Sequence, residues 1–132
     1  MNGMTPEWAW AFFPIGYLLT VLIETPILWV GLSSRHDARR RLTSGLWLTA
    51  CTYPIVVLVL PLAMRDYSRG AYLAVAETFA PLAECALFYV TFLAGTQSRD
   101  RRATLRDFGA IIAANLASFL AGEVIGRWYL GV

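Results

Sequence analysis

Four long runs of apolar residues, separated by short polar segments, make up most of the chain. The runs cover residues 8–32, 42–64, 70–94 and 105–130, and we refer to them as spans one to four. A helix needs ~20 mostly apolar residues to cross a membrane, and each run is long enough. None of them alternates between apolar and polar residues, as the strands of a membrane barrel do. The pattern therefore predicts an all-α integral membrane protein.

Short connections between the spans predict how the helices are arranged. Consecutive helices joined by a few residues lie side by side and antiparallel, so we expect a single domain that is an up-down bundle of four transmembrane helices. Basic loops stay in the cytoplasm, which predicts that both termini lie on the non-cytoplasmic side. The arginines that support this topology follow spans one and three, and they are Arg35, Arg39, Arg40, Arg41, Arg99, Arg101, Arg102 and Arg106. The opposite end has only Arg65, Arg69 and Arg127.

The composition agrees with lipid as the main solvent of the chain. Of its 132 residues, 58% are hydrophobic and only 15% are charged, whereas soluble domains average ~25% charged residues. The arginine runs are short and adjoin membrane spans, so we interpret them as topology signals and contacts for lipid headgroups rather than as a nucleic-acid site. We therefore expect membrane lipids and no nucleic acid as partners, and the bacterial cytoplasmic (inner) membrane as the location.

Every span also carries polar residues at the spacing of one helix face. Residues three, four and seven positions apart on a helix share one stripe, and a stripe that recurs in each helix should face the bundle interior. The stripes comprise Tyr17, Thr20 and Glu24 in span one, Thr49, Thr52 and Tyr53 in span two, Glu77 and Glu84 in span three, and Asn115, Ser118, Gly122 and the adjacent Glu123 in span four.

Counting residues from the span ends places the polar side chains in two layers. The central layer lies about 9–11 residues from the cytoplasmic ends, at ~1.5 Å per residue, and it contains Glu24, Thr52, Glu84 and Asn115. Glu77 and Glu123 lie about 7–8 residues from the outer ends and form a shallower layer. Because four helices counted independently give the same central level, we expect these groups to meet near the bilayer centre.

The acidic residues predict a functional site. A carboxylate at the bilayer centre costs ~2.5–3.5 kcal/mol on insertion scales, and such acids are functional by default. The spans contain no lysine and no deep arginine to pair with them, so the carboxyls must carry a proton or face water or a cation. We predict that one site for a proton, a cation or a substrate is formed by Glu24, Glu84, Glu77, Glu123, Thr52 and Asn115. The hydroxyl and amide groups alternatively serve only as hydrogen bonds between helices.

Three prolines lie beside the polar residues of the first three spans. Pro26, Pro54 and Pro81 each leave the carbonyl four residues earlier without its helical partner. Some transporters use interrupted helices of this kind to bind substrates at the membrane midplane. We therefore expect helix interruptions near these three positions.

The remaining reactive side chains predict no second site. His36 is the only histidine, and its arginine-rich surroundings predict a solvated loop residue. Cys51 and Cys85 lie within spans and are interpreted as small apolar residues, with a thiol site shared with Glu84 as the one metal alternative. Without a histidine cluster or paired cysteine spacing we predict no metal site, and no motif identifies a cofactor.

Span four carries a face of small residues. Gly122 and Gly126 form a GxxxG pair, and small residues let two helices approach closely in a membrane. The face predicts either packing within the bundle or an interface, with a second copy of the chain or with partner membrane subunits.

Three functions fit these features. The first is proton- or cation-linked transport of a small solute by an oligomer. The second is a structural role as an accessory subunit of a larger membrane complex. The third is an intramembrane enzyme that uses paired carboxyls as acid and base on a lipid or isoprenoid substrate; no catalytic residue can be assigned to it beyond the carboxyls.

Overall fold

A computed structural model describes residues 6–96 and 99–130, and within these ranges the chain is almost entirely helical and contains no strand. The elements are α1 (Pro6–Gly31), α2 (Ala38–Pro54), a π-helical segment (Ile55–Val59), α3 (Leu60–Ala63), α4 (Arg69–Phe88), a second π-helical segment (Tyr89–Leu93) and α5 (Arg101–Leu130). Span one is α1, span two runs from α2 to α3, span three is α4 with the second π-helical segment, and span four is α5.

Four helical stretches are long and apolar enough to cross a membrane, which confirms the predicted fold class. The second and fourth stretches begin at Ala38 and Arg101, about four residues before the predicted spans. Aspartate caps explain the earlier starts, because a carboxylate at the N-cap satisfies free amides of the first turn. Asp37 accepts a hydrogen bond from the Arg40 amide at 2.8 Å, and Asp100 accepts one from the Arg102 amide at 3.0 Å.

The four spans pack as a square. Helix α1 contacts α2 and α5, and α4 contacts the same two helices. Helices α1 and α4 are therefore diagonal partners, and so are α2 and α5. We call the end of the bundle that holds Pro6 and Leu130 the terminal end. The opposite end, where the chain passes from α1 to α2 and from α4 to α5, is the arginine end.

Prolines interrupt the helices less than the sequence predicts. Helix α1 continues through Pro26 and α4 continues through Pro81, so the expected breaks at these two positions are wrong. A proline removes one backbone hydrogen bond, and the neighbouring turns of these helices remain intact. Only span two changes at its proline, where α2 ends at Pro54 and the π-helical segment begins.

Two close contacts fix the position of α1 against α2. A methyl group added at Gly45 would lie 2.3 Å from Thr25 Oγ1, and one added at Gly16 would lie 1.9 Å from Tyr53 Oη. At Gly45 the backbone Cα of Thr25 also lies only 3.0 Å from the added methyl group, so glycine is needed there, whereas at Gly16 the contact is with the end of the Tyr53 side chain. The Gly45 contact is adjacent to the polar stripe of both helices, because Thr49 follows Gly45 by one turn and Glu24 precedes Thr25.

The most deeply buried apolar residues lie between the polar layer and the arginine end. Leu28, Leu48, Phe88 and Ile111 are each at most 1% exposed, and they come from all four spans. We call these four residues the apolar plug. Close packing of this kind excludes water, so the plug separates the bundle interior from the arginine end.

Arginines complete the C-terminal end of α1. The guanidinium group of Arg41 donates to the carbonyl oxygens of Trp29 and Ser33, and that of Arg106 donates to the carbonyl oxygen of Gly31 at 2.9 Å. A helix leaves its last carbonyls without partners, and these contacts satisfy them. These two arginines therefore also hold α1 to α2 and α5, a role that the sequence did not predict.

Candidate functional site

Glu24 lies in the interior of the bundle, with 2% of its surface exposed. Its Oε2 lies 2.8 Å from the Thr49 hydroxyl of α2, and its Oε1 lies 2.7 Å from the Ser118 hydroxyl of α5. The close approach of α1 and α2 at Gly45 brings Thr49 within reach of the carboxyl. Both neighbours of α1 therefore hold the same side chain.

Glu84 is held in the same way from the opposite corner of the bundle. It is also 2% exposed. The Thr52 hydroxyl of α2 donates to Oε1 at 2.6 Å, and the Asn115 amide of α5 donates to Oε2 at 2.7 Å. Thr49 and Thr52 are one turn apart on α2, and so are Asn115 and Ser118 on α5. One turn of α2 and one turn of α5 thus bind both carboxyls.

The hydroxyl groups at this site can serve either protonation state of the carboxyls. The Thr49 oxygen also lies 2.8 Å from the carbonyl oxygen of Gly45, and the Thr52 oxygen lies 3.1 Å from that of Leu48. A hydroxyl has one hydrogen and accepts through its lone pairs. It can donate to an ionised carboxylate, or donate to the helix carbonyl while accepting the hydrogen of a protonated carboxyl. Proton exchange then needs rotation of hydroxyls and no movement of the backbone.

No ion pair in the described part of the chain involves Glu24 or Glu84. Their hydrogen-bond partners are all neutral groups. A buried charge without a counter-charge is expensive, so a proton, a bound cation or water must compensate the charge of each carboxyl. The arrangement therefore suits reversible binding of a proton or a cation.

A cavity of about 280 Å³ connects the two carboxyls with the terminal half of the bundle. All four glutamates of the predicted site line it, together with Tyr53, Tyr72 and Phe119. Its volume is close to the lower end of the ~300–1,000 Å³ range of small-molecule sites. The apolar plug lies on the other side of Glu24 and Glu84, so the cavity extends from the carboxyls toward the terminal end.

Glu77 and Glu123 lie on the cavity wall nearer the terminal end. Glu77 is partly exposed and has no hydrogen-bond partner among the residues the structure describes. Glu123 accepts a hydrogen bond from the Arg69 guanidinium at 2.8 Å. The expectation that no arginine compensates these acids is therefore wrong for Glu123, because Arg69 begins α4 directly opposite it.

A second buried carboxylate, Asp107, lies at the arginine end and was missed in the sequence. Asp107 is fully buried and accepts hydrogen bonds from the Ser33 amide at 2.6 Å and from the Arg35 guanidinium at 2.7 Å. Its Oδ2 also lies 2.8 Å from His36 Nε2. Asp107 precedes Ile111 and Asn115 at four-residue intervals, so extending the span-four stripe by two turns would have identified it.

The prediction that His36 is a solvated loop residue is wrong. The side chain is 3% exposed, and its ring meets the ring of Phe88 edge-on at a centroid distance of 5.1 Å. The connection from α1 to α2 folds over the end of the bundle, so that Ser33, Arg35 and His36 all reach Asp107. This cluster joins the α1–α2 connection to α5 on the far side of the apolar plug.

Within residues 6–96 and 99–130, no three His, Cys, Asp or Glu side chains are placed to hold one metal ion. Cys51 and Cys85 are both free thiols, and Cys85 packs in the apolar core.

Comparison with known proteins identifies no relative of the chain. No protein-family model matches the chain, and neither a curated protein nor a solved structure is significantly similar to it. The functional conclusion therefore depends on the geometry of the carboxyl site.

Proposed function

We propose that the chain is a proton- or cation-coupled transporter of a small solute, acting as an oligomer in the bacterial inner membrane. One observation carries the proposal. Glu24 and Glu84 meet at the inner end of a cavity of about 280 Å³, and each is held only by neutral donors. Carboxyls at this depth in a membrane usually belong to a proton relay or to the pathway of an ion or a substrate.

Each polar residue of the site has a role in this mechanism. Glu24 and Glu84 bind and release the proton or the cation. Thr49, Thr52, Ser118 and Asn115 keep the carboxyls oriented in both protonation states, because their hydroxyl and amide groups donate to either form or accept from it. Glu77 and Glu123 lie along the route from the terminal end. Arg69 compensates the charge of Glu123, so Glu77, which forms no ion pair in the described part of the chain, is the acid that attracts cations toward the inner site.

We interpret this structure as one state of a transport cycle, open toward the terminal end and closed toward the arginine end. The cavity reaches the carboxyls from the terminal end, and the apolar plug closes the arginine end. Release on the other side requires the plug to open. The π-helical segment Ile55–Val59 borders the cavity through Val56 and Val57, and irregular turns of this kind often occur at functional sites. We assign the conformational change to span two for this reason.

The oligomer in this proposal is supported by span four. Methyl groups added at Gly122 and Gly126 would meet no atom within 4 Å. The open space above Gly122 is part of the carboxyl cavity, which Gly122 lines. Gly126 does not line that cavity, and a small residue with open space above it suits a close helix contact with another chain.

Flux measurements in proteoliposomes test the proposal. Vesicles that contain a pH dye receive an imposed pH gradient, with and without a panel of small amines, amino acids and sugars. We expect at least one solute to accelerate the collapse of the gradient in the wild type. Glu24→Gln and Glu84→Gln should reduce this rate to that of empty vesicles, because glutamine cannot exchange the proton.

A matched control separates this effect from a general effect of charge. Glu7 lies exposed in the first turn of α1, far from the cavity, so Glu7→Gln should retain the wild-type rate. Coupling to a proton is excluded if every solute leaves the gradient unchanged, and the carboxyl site is excluded if the two interior variants transport as well as Glu7→Gln.

A further inference from the structure

A second cavity, of about 510 Å³, lies at the arginine end between the end of span three and the start of α5. Its polar wall contains three arginines, Arg35, Arg99 and Arg101, together with Thr96 and Thr104, and none of the described residues that line it is acidic. It shares no lining residue with the carboxyl cavity. The inference drawn from it does not depend on the proposed transport.

Arg35 is fixed in place, and one nitrogen of its guanidinium group is left to bind a ligand. Its Nε and Nη2 donate to Asp107 Oδ2 at 3.1 Å and 2.7 Å, and Nη2 also donates to Thr104 Oγ1 at 3.1 Å. Nη1 has no hydrogen-bond partner within the described ranges, and 24% of the side chain is exposed. A guanidinium group held in this way loses little entropy when it binds a ligand.

Arg99 and Arg101 supply charge that is not neutralised by the protein. Neither forms an ion pair with any described carboxylate. Asp100 lies between them in sequence, but its carboxylate accepts hydrogen bonds from the amides of Arg102 and Ala103 at the start of α5. The cavity therefore keeps a net positive charge and suits an anion with several oxygen acceptors.

The other wall of the cavity is apolar and faces the outside of the bundle. Tyr89 is 47% exposed and Leu105 is 59% exposed, and Phe108 continues this wall toward the interior. On a membrane-spanning helix such side chains contact lipid chains. A ligand that binds the arginines and also packs against the apolar wall combines an anionic head with an apolar tail.

We propose that this cavity binds the phosphate group of an anionic phospholipid, with Arg35, Arg99 and Arg101 around the phosphate and an acyl chain against Tyr89 and Leu105. Basic pockets between membrane helices recognise anionic headgroups in this way. Arginine suits the role because its planar fork matches two phosphate oxygens. A soluble phosphate compound offers the same head chemistry without the tail, and the experiment below separates the two sources.

Lipid binding to the full chain in detergent tests the proposal. Native mass spectrometry would measure binding of phosphatidylglycerol, of phosphatidylcholine and of inorganic phosphate. The double variant R99Q/R101Q should bind phosphatidylglycerol about tenfold or more weakly, since each arginine near an anionic surface contributes severalfold to affinity. The control R39Q/R102Q removes the same charge from the arginine end but no residue of the cavity wall, and it should bind within about threefold of the wild type.

A third variant tests the cavity independently of charge. Ala94 is exposed and lines the cavity, so Ala94→Phe fills part of the volume and should also weaken phosphatidylglycerol binding. Equal binding of phosphatidylcholine and phosphatidylglycerol, or equal loss in R99Q/R101Q and R39Q/R102Q, would overturn the site. Binding of inorganic phosphate as tight as that of phosphatidylglycerol would overturn its lipid source.

Discussion

Glu24 and Glu84 come from diagonally opposite helices, yet each carboxyl is held between the same turn of α2 and the same turn of α5. The two acids therefore share one polar layer that is supplied by all four spans. A change in the charge of one acid acts on the other, because unit charges interact strongly where water is scarce. This coupling is what a carrier needs if binding at one acid is to affect release at the other.

The direction of the cavity predicts which interior positions react with a water-soluble thiol reagent. In a background with Cys51 and Cys85 replaced by serine, Thr20→Cys should be modified, because Thr20 lines the cavity. Ala114→Cys should resist modification, since Ala114 is 1% exposed in the apolar core. Mass spectrometry of the labelled protein gives the extent of both reactions.

Applying that reagent to one face of oriented vesicles also tests the predicted topology. Modification of Thr20→Cys from the non-cytoplasmic face alone agrees with termini on that side. Equal modification of Ala114→Cys would contradict a closed arginine end.

The close contact at Gly45 predicts a large effect of a small substitution. Gly45→Ala places a methyl group 2.3 Å from Thr25 Oγ1, and overpacking of this kind costs about 1–3 kcal/mol of unfolding free energy. Gly109→Ala is the control, because a methyl group there meets no atom within 4 Å. Thermal unfolding in detergent, followed by circular dichroism, should give a lower midpoint for Gly45→Ala only. Equal midpoints for the two variants would show that α1 and α2 do not approach this closely.

Asp107 should contribute to stability through the cluster at the arginine end. Asp107→Asn removes the charge that Arg35 and His36 share, and loss of one partner from a buried ion pair costs about 3–5 kcal/mol. The exposed control is Asp66→Asn, whose carboxylate is 85% exposed beside Arg65. We expect a lower unfolding midpoint for Asp107→Asn and no measurable change for Asp66→Asn. A wild-type midpoint in both variants would remove the structural role assigned to Asp107.

The hydroxyl of Thr52 should matter for transport, whereas an exposed threonine hydroxyl outside the site should not. Thr52→Val keeps the side-chain shape but removes the donor that lies 2.6 Å from Glu84, and an unpartnered buried acceptor costs about 1–3 kcal/mol. Thr78→Val removes an exposed hydroxyl that bonds only to its own helix, at the Ala74 carbonyl. In the proteoliposome assay we expect slower solute-dependent flux for Thr52→Val alone. Equal rates would indicate that the hydroxyl is only a contact between helices.

The fold could be predicted because apolar length and helical spacing depend on local sequence. Glu24, Glu84, Thr52 and Asn115 were placed at one level by counting residues, and the structure brings them together. Thr49 and Ser118 belong to the same stripes, but their pairing with Glu24 depends on how closely α1 approaches α2. That approach is set by Gly45, whose contact with Thr25 cannot be read from either helix alone.

Long-range pairing explains the features that the sequence did not predict. His36 and Asp107 are 71 residues apart, and Arg69 and Glu123 are 54 residues apart. Each pair forms only when connections fold over an end of the bundle or when two helix ends lie opposite each other. A charge pattern read along one segment cannot reveal such partners.

The protonation of Glu24 and Glu84 is the property on which the proposed function depends most directly. Infrared difference spectroscopy of the reconstituted protein between acidic and alkaline buffers records the carbonyl band of protonated carboxyl groups. We predict a band that changes with pH in the wild type and in Glu7→Gln, and that is reduced in Glu24→Gln and again in Glu84→Gln. A band that does not respond to pH, or one that is unchanged in both interior variants, would contradict proton exchange at this site.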